Sequence, residues 1–279
     1  MTRRGAGAVF LLTDYGTVDE FAGVLRAVVT RDAPGAPVVD LTHDVPPFDV
    51  RAGALVLERT VPHLGPGVVL AVVDPGVGTE RRAVAVAVRA GAGPRPSYLT
   101  GPDNGLLPWA LDALGGAEAA VELDGAGEGA ATFDGRDVFA PAAARLWRGE
   151  ALAGLGRPLD PVTLLRLAPP RLRVGAGDVE TEVLWVDRFG NVQLSARPGD
   201  LARAGLGAEG AELVVVSGAR ARRARRVRTF ATVAPDGLGL LTDANGHLAL
   251  AGARCSAAAA LGVAAGDPVS LAAPGGAVR

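Results

Sequence analysis

The chain has 279 residues and a formal net charge of −2, with 49% hydrophobic and 4% aromatic residues. Such a length can bury a large core in one or two domains, and the slightly negative charge argues against nucleic acid as a partner. No uninterrupted run of about 18 apolar residues occurs, so we expect neither a membrane span nor a membrane partner.

The first half of the chain alternates strand-like and helical patterns. Apolar runs typical of strands occupy residues 8–12, 37–41, 68–73, 83–88 and 97–100, and helical periodicity occupies residues 18–31, 49–60, 106–114 and 138–147. This alternation predicts an α/β domain with a mainly parallel central sheet that helices cover on both faces. We assign this domain to residues 1–160.

The second half consists of short strand-like runs separated by Gly, Asp and Asn. Residues 156–177 contain four prolines and little periodicity, and we interpret residues 161–180 as a linker. Seven strand-like runs follow, one of them over residues 225–233. They predict an all-β, barrel-like domain over residues 181–279.

The segment VVDPGVGTERR, residues 72–82, joins a strand end to a charged turn. Its apolar run ends abruptly at Asp74, and a Pro-Gly-Val-Gly turn then leads to Arg81. Because glycines let the backbone turn sharply, we expect the Arg81 guanidinium to return to the Asp74 carboxylate. Ligands of α/β folds bind at the carboxyl ends of the strands, which makes this strand end a candidate site.

Other predicted strands of the first half also end in polar residues followed by turns: Thr13-Asp14, His43-Asp44 and Asp103-Asn104. Each pair alone is typical of turns and helix caps, but several carboxylates at one sheet edge favour a ligand site. We expect His43 to be structural.

A further acidic segment, TFDGRD, occupies residues 132–137 before a predicted helix. We interpret Asp137 as the cap of that helix, whereas the glycine after Asp134 leaves the Asp134 carboxylate free to project.

The histidines show no zinc-site spacing, and the single cysteine, Cys255, excludes a cysteine cluster. We therefore expect no metal, and we expect Cys255 to be buried. The apolar stretch before Asp14 is only about five residues, too short for a signal peptide, so we expect a cytoplasmic location.

Two segments of the second half carry further candidates. WVDRFGNVQLS, residues 185–195, predicts a hairpin in which Asp187 and Asn191 satisfy the turn. Phe189 at its tip suits stacking on a planar ligand. The run ARARRARRVR at residues 219–228 favours a solvated hairpin over an RNA-binding surface, because it has no interleaved aromatic residues.

Six motifs occur in an order that resembles one known family. They are LLTDYGTVDEFAGVLRAV, VVDLTHDVPPFDVRAGALVL, VVDPGVGTERRAVAV, GPDNGLLPWAL, TFDGRDVFAPAAARL and VDRFGNV. Together they resemble the S-adenosyl-L-methionine (SAM) hydroxide adenosyltransferases, or SAM hydrolases, relatives of the fluorinase and the chlorinase. The resemblance implies a homotrimer in which SAM binds between the α/β domain of one subunit and the β-barrel of its neighbour.

The resemblance also implies a reaction and its catalytic groups. Water or hydroxide attacks C5′ of the SAM ribose, methionine leaves from the sulfonium, and adenosine forms without any cofactor. Asp74 and Arg81 match the family's catalytic aspartate and arginine. The family's histidine, in a TFHGRD motif, is Asp134 in this chain. An ionised carboxylate cannot donate a proton, but it can orient water or pair with Arg81.

The same resemblance implies a set of substrate-binding residues. Asp14 matches the carboxylate that accepts the ribose hydroxyls, and Asp19 and Asp187 match positions that hold the methionine end. The other matches are Phe48 near the ribose, Asn191 at the adenine edge, and Phe189 and Phe230 as stacking faces. The family often has an Asn-Ser-x-Gly-Tyr pattern in the segment that contains Asn245. At this position Asn245 replaces a group that would hold the methionine carboxylate.

Two other functions remain open at this point. A halogenase needs a site that accepts an anion, and a carboxylate about 4 Å from a halide repels it by roughly 4 kcal/mol at an effective dielectric constant of 20. The fluorinase carries Tyr-Pro-Ala-Thr where this chain has Asp74-Pro75-Gly76-Val77, so Asp74 favours water over halide. The absence of the family's histidine also leaves open a protein that binds SAM or adenosine without turnover.

Overall fold

The strands predicted in the first half form a single sheet in the computed structural model, which describes residues 7–91, 95–125 and 132–275. The chain divides into two compact units between Leu167 and Ala168, inside the segment interpreted as a linker. Within the described ranges, no helix combines the length and the apolar character needed to cross a bilayer.

The first unit is an α/β domain. Its strands and α-helices follow the order β1 (Ala8–Thr13), α1 (Phe21–Asp32), β2 (Val38–Thr42), α2 (Val50–Thr60), β3 (Gly67–Val72), β4 (Ala83–Val88), β5 (Pro96–Pro102), α3 (Pro108–Ala113), β6 (Ala117–Leu123), α4 (Ala140–Trp147) and β7 (Gly156–Leu159). A π-helical turn, Gly135–Phe139, leads directly into α4. The sequence did not indicate β6, which pairs with β4, or β7, which pairs with β6 at the edge of the sheet.

The sheet has the strand order β2-β1-β3-β5-β4-β6-β7. Strands β2, β1, β3 and β5 are parallel to one another, and the remaining three continue the sheet in antiparallel pairs. All six residues of β3 are buried, as expected for a strand covered on both faces. Thr13 of β1 pairs with Val72 of β3, so the residues that follow these two strands lie at the same edge of the sheet.

The core of this unit follows from the periodicity of its elements. Helix α1 buries Ala22, Leu25, Val28 and Val29, the spacing of one helical face. Leu25, Val28 and Val29 share a core cluster with α4 and with alternate residues of β1 and β3. Asp49 caps α2 by accepting a hydrogen bond from the Ala52 amide at 2.9 Å.

The second unit is a β-barrel with two short helices. Its elements are β8 (Leu172–Val174), β9 (Asp178–Val186), β10 (Val192–Leu194), α5 (Pro198–Arg203), β11 (Glu212–Ser217), β12 (Arg220–Arg226), β13 (Leu238–Thr242), β14 (Leu248–Gly252), α6 (Ala257–Leu261) and β15 (Pro268–Ala272). Seven strands close in the order β9-β10-β14-β13-β12-β11-β15, and β15 returns to β9. Strand β8 pairs with β9 outside this ring. The predicted combination of an α/β domain and a barrel-like all-β domain is confirmed.

Two local expectations for this unit are wrong. The strand expected over residues 225–233 is instead β12, which ends at Arg226, and residues Phe230–Thr232 form a 3-10 turn. The strand begins and ends earlier than expected because Ser217 pairs with Arg220, which folds β11 and β12 into a hairpin. The arginines of this hairpin largely face solvent. That confirms the interpretation of the arginine run as a solvated hairpin. Cys255 is exposed rather than buried, because it lies in the turn between β14 and α6.

Candidate active site

The ends of β1 and β3 place two carboxylates beside each other, those of Asp14 and Asp74. After Asp74 the chain makes a tight turn in which the Val77 amide donates to the Asp74 carbonyl at 3.3 Å. Gly78 adopts a φ of 77°, a conformation that favours glycine. The Thr79 hydroxyl closes the turn by donating to the Gly76 carbonyl at 2.6 Å. This turn returns Arg81 to the strand end, as the sequence predicts.

Arg81 binds two carboxylates at once. Its Nε lies 3.1 Å and 3.0 Å from the two carboxylate oxygens of Asp74, and its Nη2 donates both to Asp74 and, at 2.5 Å, to Asp134. The side chains of Arg81, Asp74 and Asp134 are only 10%, 6% and 8% exposed. The Arg81 guanidinium also lies 5.3 Å from the centre of the Phe139 ring. The three charged side chains therefore form a buried, preorganised group.

The net charge of this group is negative. Burial by itself would lower the pKa of Arg81, but the hydrogen bonds and charges of Asp74 and Asp134 outweigh it and hold that pKa above its usual value. The guanidinium therefore stays charged, and two carboxylates against one guanidinium leave one net negative charge. A cation is the natural ligand of such a group.

The buried group opens into a cleft of about 270 Å³ in the first unit. Three carboxylates face it, those of Asp14, Asp74 and Asp134, and three aromatic side chains form an apolar wall, Tyr15, Phe21 and Phe133. The sequence patterns did not indicate a role for these three aromatic residues. The available signal was their position inside the same motifs as Asp14 and Asp134, in a chain with few aromatic residues.

Asp14 is held by a backbone hydrogen bond from a strained neighbour. The Phe48 amide donates to the Asp14 carboxylate at 2.9 Å, and Phe48 has a φ of 66°, which is rare for a bulky residue. Burial raises the pKa of Asp14 above its usual value, although the Phe48 hydrogen bond acts in the opposite direction. Phe48 is 72% exposed and lines the cleft.

Replacing Asp14 with asparagine is expected to raise the melting temperature at neutral pH. A raised carboxyl pKa means that the folded protein takes up a proton more readily than the unfolded chain, so the stability contribution of Asp14 increases as the pH falls. The advantage of the variant should therefore shrink on acidification. Thermal denaturation from neutral pH to about pH 4 tests this, with Asp44→Asn as an exposed control. A lower melting temperature for Asp14→Asn at neutral pH contradicts it.

The remaining polar strand ends support the fold. The Asp103 carboxylate accepts from Arg82 and from the Leu165 amide, and Asn104 donates to the Val73 carbonyl at 2.8 Å. The latter bond ties the end of β5 to the residue before Asp74. His43 is buried and hydrogen-bonded through Nδ1 to the Thr13 hydroxyl at 2.8 Å, so its structural role is confirmed.

Two other candidate residues of the first unit, Asp19 and Asp137, do not line the cleft. Asp19 is exposed on the segment before α1. Asp137 does not cap a helix, and that prediction is wrong. It lies inside the π-helical turn and bonds Arg136, because the turn begins one residue after Asp134. Asp134 immediately precedes this turn and pairs with Arg81.

In the second unit, the predicted turn residues bind one another. The Asp187 carboxylate accepts from the amides of Phe189 and Asn191 at 2.8 Å and 2.9 Å, and from the Asn191 side-chain amide at 2.7 Å. Phe189 and Phe230 are 73% and 57% exposed. Asn245 is exposed, and its backbone amide donates to Asp243 at 2.8 Å. The ligand roles of these residues stay predictions.

Comparison with known proteins gives matches along most of the chain. Residues 9–156 match the SAM hydroxide adenosyltransferase N-terminal domain, and residues 181–270 match the corresponding C-terminal domain. A Salinispora tropica protein named (R)-S-adenosyl-L-methionine hydrolase is 48% identical over 261 residues, covering 91% of this chain and 94% of that protein.

Two further matches bear on the fold and on the alternatives. The crystal structure of an uncharacterized conserved protein from Thermotoga maritima superposes with a TM-score of 0.86 at 31% identity, covering 95% of this chain and 99% of that one. A fluorinase from Actinoplanes sp. is more distant, with 28% identity over 276 residues and coverage of 90% and 92%.

Proposed function

Because the chain belongs to the SAM hydroxide adenosyltransferase family, we propose that it hydrolyses SAM to adenosine and L-methionine in the cleft beside Asp74. The observation that carries this proposal is the buried group of Asp74, Arg81 and Asp134, which opens into that cleft together with Asp14. The group is negative, and the reacting sulfonium of SAM is positive. Substrate and site are thus complementary in charge.

The chemistry requires an aligned water molecule and a proton acceptor. The water oxygen forms a bond to C5′ while the C5′–S bond breaks and its electron pair goes to the methionine sulfur. One proton of the water passes to a carboxylate, for which we propose Asp74. Alignment of the water with C5′ supplies the largest part of the acceleration, and a carboxylate base adds roughly 10²- to 10⁴-fold. The sulfonium is already an activated leaving group, so we propose no metal and no cofactor.

Arg81 and Asp134 have supporting roles in this proposal. Arg81 neutralises part of the charge on both carboxylates, which lets them share one buried place as anions. Asp134 is a second acceptor on the water and limits its orientation. Asp14 accepts hydrogen bonds from the two ribose hydroxyls, a task for which a fixed carboxylate is suited.

Other residues are assigned to the remaining parts of the substrate. We propose that Phe48 contacts the ribose and that Asp19 and Asp187 attract the methionine ammonium. Exposed rings suit stacking on adenine, which supports Phe189 and Phe230 as its faces, with Asn191 at the adenine edge and Asn245 near the methionine carboxylate. We extend the proposal to a homotrimer with its sites at subunit interfaces, on the ground of the family resemblance.

Charge argues against the halogenase alternative. A halide at the position of the attacking water would lie beside a group with one net negative charge. At about 4 Å from an uncompensated carboxylate it would be repelled by roughly 4 kcal/mol at an effective dielectric constant of 20. Water is neutral and does not meet this penalty.

Incubation of the purified protein with SAM, with and without halide, tests the proposal. Because the Salinispora tropica relative is named for the (R) form of SAM, each sulfonium epimer should be supplied separately. We expect adenosine and methionine from the (R) epimer, in amounts that halide does not change. A 5′-halo-5′-deoxyadenosine product would establish the halogenase instead. Intact SAM that raises the melting temperature would establish binding without turnover.

A further inference from the structure

We propose that the Tyr15 hydroxyl donates a hydrogen bond to the attacking water and thereby completes its orientation. This inference rests on the proposed function, because it assigns a third contact to the same water molecule. Three properties of Tyr15 carry it: a fixed ring, a hydroxyl beside Asp134, and a proton that the surrounding charges keep in place.

Packing fixes the Tyr15 ring at the wall of the cleft. Its centre lies 6.0 Å from that of Phe21 with planes at 58°, and 5.7 Å from that of Phe133 with planes at 74°. Phe21 and Phe133 in turn meet edge to face at 5.3 Å and 89°. Such tilted and edge-to-face contacts are favourable arrangements of aromatic rings. Tyr15 therefore presents its hydroxyl in one direction.

The hydroxyl lies against the backbone next to Asp134. A Cβ atom placed on Gly135 would be 2.3 Å from the Tyr15 hydroxyl oxygen and 3.2 Å from the ring carbon that bears it. No side chain fits at position 135 while Tyr15 keeps this place. Because residue 135 is a glycine, the hydroxyl has room in the part of the cleft where Asp74 and Asp134 both bind Arg81.

The surrounding charges keep the phenol neutral and able to donate. Burial raises the pKa of Tyr15, and the carboxylates of Asp14, Asp74 and Asp134 raise it further, against a smaller opposing effect of Arg81. The hydroxyl has no hydrogen-bond partner among the residues that the structure describes. Partly buried phenols usually have a hydrogen-bond partner, and Tyr15 lines the cleft, which provides room for a water molecule.

A donor is the contact that the carboxylates cannot provide. A water molecule has two O–H groups and two lone pairs. If Asp74 and Asp134 accept its two O–H groups, one lone pair must face C5′ and the other needs a donor. Arg81 directs Nε and Nη2 to its two carboxylates. Tyr15 supplies the missing donor and leaves the reactive lone pair free for C5′.

The test compares Tyr15→Phe with the wild type, by the rate of adenosine formation from SAM. Phenylalanine keeps the ring contacts and removes only the hydroxyl. We expect kcat to fall about tenfold, the value of one hydrogen bond made in the transition state, with KM changed less than about twofold. Tyr98→Phe is the matched control, because Tyr98 lies in β5 outside the cleft, and its kcat should stay at the wild-type value.

Gly135→Ala provides an independent check, because its methyl group displaces the same hydroxyl while Tyr15 remains in the chain. We expect a similar fall in kcat, and no additional fall when Tyr15→Phe is combined with it. An unchanged kcat in Tyr15→Phe, or a raised KM with unchanged kcat, overturns the inference. Absence of adenosine formation by the wild-type protein overturns the proposed function instead, so the two failures are distinct.

Discussion

Replacement of Asp74 by asparagine is expected to lower kcat for adenosine formation by about 10²- to 10⁴-fold. Asparagine has nearly the same shape but cannot take the proton of the attacking water. Binding of SAM should weaken only modestly, because the substitution leaves the proposed ribose contact of Asp14 in place. Single-turnover assays of adenosine formation and calorimetric titration with SAM separate the two effects.

A suitable control for this variant is Asp112→Asn. The Asp112 carboxylate also pairs with an arginine, Arg166, but both side chains are 54% exposed and lie outside the cleft. Such exposed pairs contribute little to stability, so kcat and melting temperature should match the wild type. Full activity of Asp74→Asn would exclude Asp74 as the base and with it the proposed mechanism.

Replacement of Arg81 by methionine is expected to lower the free energy of unfolding by about 3–5 kcal/mol at neutral pH. Methionine fills a similar volume but leaves the buried carboxylates of Asp74 and Asp134 without their shared cation. The two carboxylates would then repel each other until one takes up a proton. The loss of stability should consequently shrink as the pH falls. At neutral pH, the kcat of the variant should also be lower than that of the wild type.

Chemical denaturation of the SAM-free protein at several pH values measures this loss. Arg157→Met is the matched control, since Arg157 pairs with Glu122 at an exposed place and its removal should cause no measurable change. If Arg81→Met unfolds at the same denaturant concentration as the wild type, the charged group does not contribute to stability in the way its burial indicates.

Local rules predicted one part of the site well. Asp74 and Arg81 are seven residues apart, and the turn between them can be recognised from its glycines alone. That Asp14 joins them follows from a general property of parallel sheets, whose strands end at a common edge. The sequence alone therefore predicts that these three residues lie together.

The rest of the site depends on contacts that sequence patterns do not encode. The π-helical turn after Asp134 has no recognised sequence signature, so Asp137 was the more obvious helix cap. The fit of the Tyr15 hydroxyl over Gly135 joins residues that are far apart in the chain. In the barrel, the start of β12 is set by its hairpin register with β11 rather than by its composition, which is poor in apolar residues.

The two ion pairs of Arg81 differ in how much chain must be ordered to form them. The Asp74 pair closes a loop of seven residues, whereas the Asp134 pair spans 53. Loop-closure entropy makes the longer closure costlier by about 1.8 kcal/mol, from the logarithm of the ratio of the two lengths. During folding, the strand end and its arginine can therefore associate as a local unit. The docking of the turn after Asp134 then converts a simple ion pair into the shared, negatively charged group.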